Sequence, residues 1–154
     1  MSYLKQAKQF GFTLGLLLLP LIAQHARAEQ FETIGQTQVH YSALNTSDLS
    51  SAMTQEYKIK RDGYTGLLNI SVLDQSSTPQ SPKPLTAQVT GSAKNLLGQT
   101  QRLNFREIKE GRAIYYLAEF KISNEETFQF DLNIDAGQSG QGQLNFQQKF
   151  YTQE

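Results

Sequence analysis

The stretch AIYYLAEFKISNEETFQFDLNI, Ala113 to Ile134, decides the fold. Ile114, Tyr116, Ala118 and Phe120 alternate along its first half, and Phe128, Phe130, Leu132 and Ile134 along its second. A period of two puts each apolar set on one side of an extended strand, whereas a helix would scatter the same side chains around its axis. The intervening Ser123, Asn124, Glu125 and Glu126 cannot extend an apolar face, so the expectation is two strands joined as a hairpin by a polar turn. Two strands alone are marginal in water, and this pair needs a second apolar layer from the rest of the chain.

Segments on either side supply that layer. Val39, Tyr41 and Ala43 alternate with Gln38, His40 and Ser42 in one strand, and Gly35 before them marks a bulge or bend. In NTSDLSSAMTQEYKIK, Thr46 or Ser47 is placed to cap a short helix with Leu49, Ala52, Met53 and Tyr57 at helical spacing, closing one end of the assembly. GLLNISVLD is a strand with Leu68, Ile70 and Val72 inward; QSSTPQSPKP is a loop poor in regular order. LTAQVTGSA, with Ala87, Val89 and Gly91 on one face, and RLNFREI are two further strands. QLNFQQKFYTQE is the last, with Leu144, Phe146 and Phe150 in a row that Gln148 interrupts. About seven short strands and one helix, joined by connections too short for repeated parallel crossovers, predict an all-β, single-domain immunoglobulin-like sandwich; a small closed barrel is the alternative.

The chain has 154 residues. It opens with Lys5 and Lys8, an apolar run from Phe10 to Ile22, and the triplet Ala26, Arg27, Ala28. This is the three-part layout of a secretory leader cleaved after Ala28, and the run is too short for the about 20 residues of a membrane span. Residues 1–28 are therefore expected to be a signal peptide and 29–154 one β-sandwich domain in the periplasm. Loss of the three basic residues in 1–28 leaves 11 basic against 14 acidic, a net charge of −3. With no basic stripe, neither nucleic acid nor strongly electrostatic attachment to an anionic membrane is expected, and no stable membrane span remains after cleavage. The chain has no cysteine, which excludes disulfides and thiolate chemistry.

Candidate chemistry is sparse. His25 lies in the leader, which leaves His40, with Ser42 and Asp48 nearby. His40 and Ser42 share a strand face, no nucleophile elbow is present, and nothing orients a third group, so His40 reads as a strand-surface or partly buried hydrogen-bonding residue. No paired histidines or cysteine ligands suggest a transition metal, and no acidic spacing makes a calcium loop. Glu125 and Glu126 read as a solvated turn, and Glu107, Glu110 and Glu119 as surface partners for Arg102, Arg106, Lys109, Arg112 or Lys121. GQSGQG from Gly137 is a turn, not a phosphate cradle, because no helix or P-loop lysine follows. Among the aromatics, Tyr115 and Tyr116 must face opposite sides, while Phe31, Tyr41, Tyr57, Tyr64 and Tyr151 lie outside the clearest core rows and are candidates for a contact patch. No catalytic, cofactor-binding or metal residue is assigned, and no cofactor is expected.

LLNISVL, NLLGQ, NFREI, AIYYLAEF, SNEETFQF and LNFQQKFY together resemble the family called domain of unknown function 4426, small secreted proteins of Gram-negative proteobacteria. The resemblance runs from about Glu29 to Tyr151 and implies a periplasmic, sandwich-like single domain with no assigned site. The leading expectation is a noncatalytic periplasmic binding or accessory protein, its partner an envelope protein or a small ligand. A carrier of a small apolar ligand, lined by residues such as Phe130 and Phe146, and a carboxylate-based hydrolase are the alternatives.

Overall fold

A computed structural model of the protein describes residues 30–152. The leader and its cleavage point lie outside the described residues. Nine antiparallel strands form two sheets: β1 (Gln30–Ile34), β2 (Thr37–Asn45), β3 (Thr65–Asp74), β4 (Gln88–Asn95), β5 (Thr100–Arg102), β6 (Arg106–Glu110), β7 (Ala113–Lys121), β8 (Glu126–Asp135) and β9 (Gln141–Phe150). One sheet runs β1-β2-β3-β7-β6 and the other β5-β4-β8-β9. The two sheets do not join into a barrel. Strands β2, β3, β7 and β6 face β4, β8 and β9 in the order of an immunoglobulin-like sandwich, with β5 added beside β4 and β1 beside β2.

The expected hairpin at 113–134 is corrected by this order. β7 pairs with β3 and β6, and β8 with β4 and β9, so the two strands belong to opposite sheets. Their alternation is as expected, but the apolar rows face each other instead of lying side by side. Residues 122–125 are an arch between layers, and Glu125 turns it with φ of 58°. Across the gap the Phe120 ring meets Phe128, Phe130 and Phe150 edge-on, at centroid distances of 5.6, 5.2 and 5.3 Å. Such pairs add about 0.5–1.5 kcal/mol each beyond area burial. Phe120 also lies over Gly66 on the neighbouring strand, where an added Cβ would stand 2.5 Å from the ring. The glycine provides the space the ring needs.

The strand count differs from seven for two reasons. Gly35, expected as a bulge or a bend within one strand, takes a φ of 61° in a tight turn that divides that strand into β1 and β2, closed by the Thr37 hydroxyl donating to Ile34 O at 2.7 Å. RLNFREI divides at Leu103–Phe105, its two halves entering different sheets, and Leu103 there is buried in the core. The Gly35 turn lies against the β8–β9 turn, with Gln36 N donating to Ser139 O at 2.7 Å. Space is short there: a Cβ on Gly140 would fall 2.3 Å from Ile34 O.

Gln148 points inward beside Phe146, yet it is not left unpaired in the core. Its amide donates to Ala43 O at 2.6 Å, tying β9 to β2 across the open side of the sandwich. The proline loop after β3 is also more ordered than its composition suggests. Asp74 Oδ1 accepts from Ser76 N, Lys83 N donates to Ser77 Oγ, and Pro84 bridges to Leu73. Phe130 is fully buried and touches four other phenylalanine rings. Phe130→Ala is expected to cost about 3–5 kcal/mol in chemical denaturation, through lost burial and the cavity left behind.

Candidate functional site

The outward face of the five-stranded sheet is divided along its length. At one end it is apolar: Leu67 and Leu117 are buried in a second cluster, with Leu44 and Ile108 partly buried against them, covered by the chain between β2 and β3. That cover is a 3-10 turn at Thr46–Asp48 and helix α1, Ser51–Glu56. The cap is Ser50, whose hydroxyl accepts from Met53 N at 3.2 Å, rather than Thr46 or Ser47. Leu49, Ile59 and Tyr57 face the sheet, whereas Ala52 and Met53 are exposed, because the helix is shorter than two turns and the flanking residues do most of the covering.

Polar contacts fix the cover. Arg61 donates to Leu49 O and Ser47 O, and Thr46 and Asp62 exchange bonds at 3.2 Å. Arg106 donates to Tyr57 O, and the Tyr57 hydroxyl donates to Glu110, which pushes the phenol up to about 12. Lys60 at 2.8 Å holds the Asp62 carboxyl down at about 2, below its ordinary 3.8. A depressed carboxyl stabilises the fold above its ordinary value and loses that contribution as pH falls through 2. The Lys60 side chain is 67% exposed, so solvent reduces the pair to about 0.5–1 kcal/mol. Asp62→Asn should lower stability by that amount at pH 7, with the difference from the parent protein vanishing between pH 4 and 2.

Beyond the cover the same sheet face is polar and open. His40 and Ser42 on β2 and Asn69 and Ser71 on β3 are cross-strand pairs, His40 with Ser71 and Ser42 with Asn69. They floor a groove of about 1010 Å³. Leu73, Pro82 and Pro84 bound one end; Ala113 and Tyr115 form the far side, with Glu110 and Arg112 beside them. The groove continues to Gln30, Ala43 and Gln148, where β1 stops pairing at Tyr41 and, among the described residues, no strand lies beside the rest of β2. On the floor, His40 stacks on Phe31 with centroids 5.2 Å apart. The Asn69 carboxamide oxygen is buried without a hydrogen-bond partner among the described residues. An orphaned acceptor of this kind costs free energy unless something donates to it.

His40 and Ser42 thus share a face, as their alternation requires, but Asp48 sits in the 3-10 turn and does not line the groove. Among the described residues, no three His, Cys, Asp or Glu side chains gather as a metal site. The surface acids take several roles. Glu107 pairs with Lys109 at 3.1 Å and accepts from the Tyr116 hydroxyl; Glu119 lies 4.0 Å from Arg106 and Glu125 3.1 Å from Lys149. Asp135 closes the glycine turn by accepting from Gly137 N and the Gln141 amide. The five aromatics singled out from the sequence do not form one patch. Tyr41 packs on Phe146 at the core and Tyr57 on the covered cluster, while Phe31, Tyr64 and Tyr151 are exposed. Tyr116 turns inward, donating to Glu107 and accepting from Ala87 N at 2.7 Å, and Tyr115 turns outward to the groove. Asn69, Ser71 and Tyr115 as groove residues were not identified from sequence. Their signal was the switch from apolar to small polar residues along the outward rows of β2 and β3.

This chain belongs to the DUF4426 family, a domain of unknown function, whose model matches residues 31–153. The crystal structure of a DUF4426 family protein from Pseudomonas aeruginosa PAO1 is 31% identical, with a TM-score of 0.70, covering 84% of this chain and 100% of that one. FetP of uropathogenic Escherichia coli strain F11, in its as-isolated form after recombinant expression in the periplasm of E. coli BL21(DE3), is 12% identical with a TM-score of 0.55, covering 82% of this chain and 95% of that one. A copper-bound FetP variant gives a TM-score of 0.52 at the same identity, covering 82% and 92%. Likeness at that identity extends to the fold alone. Comparison with curated proteins finds no match. The copper belongs to that FetP variant; in this chain His40 is the one histidine among the described residues.

Proposed function

We propose that this protein is a noncatalytic periplasmic binding module that holds an uncharged, hydroxyl- or amide-bearing ligand in the outer-sheet groove. The observation that carries this reading is the orphaned Asn69 acceptor on a floor otherwise made of His40, Ser42 and Ser71. Rotation of the Asn69 carboxamide toward the groove would let a ligand donor pair that oxygen and offset the cost of burying it, while Tyr115 and the prolines offer apolar sides to carbon-bound hydrogens. The leader pattern in residues 1–28 supports export to the periplasm. An apolar ligand between the sheets is disfavoured, because Phe120, Phe128, Phe130 and Phe150 occupy that space.

Thermal-shift and calorimetric titration of the exported protein against soluble envelope glycan fragments and short neutral peptides tests the reading. Ser71→Trp fills the groove and should abolish binding of any ligand found, and Asn69→Leu should weaken it about 5- to 30-fold. Unliganded Asn69→Leu should be no less stable than the parent, since an unsatisfied group is removed. A ligand bound equally well by all three proteins, or no binding across the panel, contradicts the proposal.

A further inference from the structure

The most exposed of the large apolar side chains are not in the groove. Leu96 and Leu97, at the tip of the β4–β5 hairpin, are 80% and 85% exposed. Two adjacent leucines in a loose loop would fold back on the sheet, but this turn is held from within. Asn95 is buried; its Oδ1 accepts from Leu97 N and Gln99 N at 3.1 and 2.8 Å, and its amide donates to Gln99 and Glu126 at 2.7 Å each. Gly98, with φ of 81°, completes the turn as Gly98 N donates to Asn95 O. The leucines are therefore presented outward on a preformed tip, and holding them there requires no further ordering on contact.

Their surroundings select the kind of partner. Two residues on a convex tip offer far less than the roughly 800 Å² per side of a stable protein interface. A fluid acyl and headgroup boundary needs no matching shape and accepts such a tip directly. Lys94 and Arg102 stand on the outward face of the same hairpin with no ion-pair partner among the described residues. Asp131 shares that exposed face, across β4 from Arg102 through Ser92, while Glu126 is engaged by Asn95 and Ser123 N and Glu125 by Lys149. Tyr64 and Tyr151, 59% and 56% exposed, lie at the same end of the sandwich, where Ile122 N bonds to Tyr64 O and Asn45 to Tyr151 O. Apolar tip, flanking cations and amphipathic rings are the composition of a shallow bilayer contact.

We propose that the Leu96–Leu97 tip docks the protein reversibly on an anionic phospholipid surface. The inference rests on export to the periplasm but not on the groove. Vesicle co-flotation tests it, using exported protein shown by mass to begin at Glu29. Wild type should float with vesicles containing phosphatidylglycerol at low salt, and lose most of that binding with pure phosphatidylcholine or at high salt. Leu96→Ser/Leu97→Ser should reduce partitioning at least about tenfold with an unchanged melting curve, since both side chains are already in water, and Lys94→Gln/Arg102→Gln should reduce it several-fold. Ser71→Trp should float like wild type, which separates this contact from the groove. Wild type remaining soluble with every vesicle, or equal flotation of the leucine variant, overturns the proposal. So does a dimer that the leucine variant dissolves without any vesicle binding, which would assign the tip to a second copy of the chain.

Discussion

The contact of Phe120 with Phe128, Phe130 and Phe150 holds the two sheets of this domain together. With no cysteine to form a disulfide, the layers are joined by packing and by a few bonds that cross the gap. The Phe120 ring comes from one sheet and its three partners from the other, so the cluster forms only when the arch at residues 122–125 folds one strand over onto the next. Tyr116 supplies a second tie at the β4 side, through Ala87, and Gln148 a third at the β9 side, through Ala43. These polar bonds satisfy buried groups and fix how the layers sit, while the rings supply most of the free energy.

Once the core is closed, the outward face of the larger sheet sets what the surface can do. Leu67 and Leu117 require a cover, and the segment from Thr46 to Asp62 provides it. Asn69 and Ser71, one turn of the pleat further along, require none and leave a groove instead. A single strand therefore carries both a structural and a recognition surface, separated by two residues. The outward face of the four-stranded sheet is different again, with Gln129, Asn133, Gln143, Asn145 and Gln147 exposed to water or nearly so.

Much of the fold was legible because alternation reports burial directly. Val39, Leu68, Ile70, Phe130 and Leu144 are all in the core where their spacing placed them. Strand pairing was not legible. Period two says which side of a strand is apolar, but an arch and a hairpin can share the same polar linker, so the 113–134 stretch was assigned side-by-side partners it does not have. Gly35 was ambiguous for a related reason, since a bend and a two-residue turn both use its backbone freedom. The groove was hidden further still. His40 and Ser42 were seen to share a face, but Asn69 becomes their neighbour only through the β2–β3 register across a connection of 19 residues. The exposure of Leu96 and Leu97 was likewise invisible in NLLGQ, which reads as a turn without showing that Asn95 holds both leucines outward.

The most direct test of the account is a map of backbone proton contacts by nuclear Overhauser spectroscopy on the exported domain. The account predicts interstrand contacts between Leu117 and Asn69 and between Phe130 and Ala93, together with ring contacts from Phe120 to Phe128 and Phe150. A ladder of backbone contacts directly between residues 113–121 and 126–135 would make them a hairpin in one sheet and contradict it.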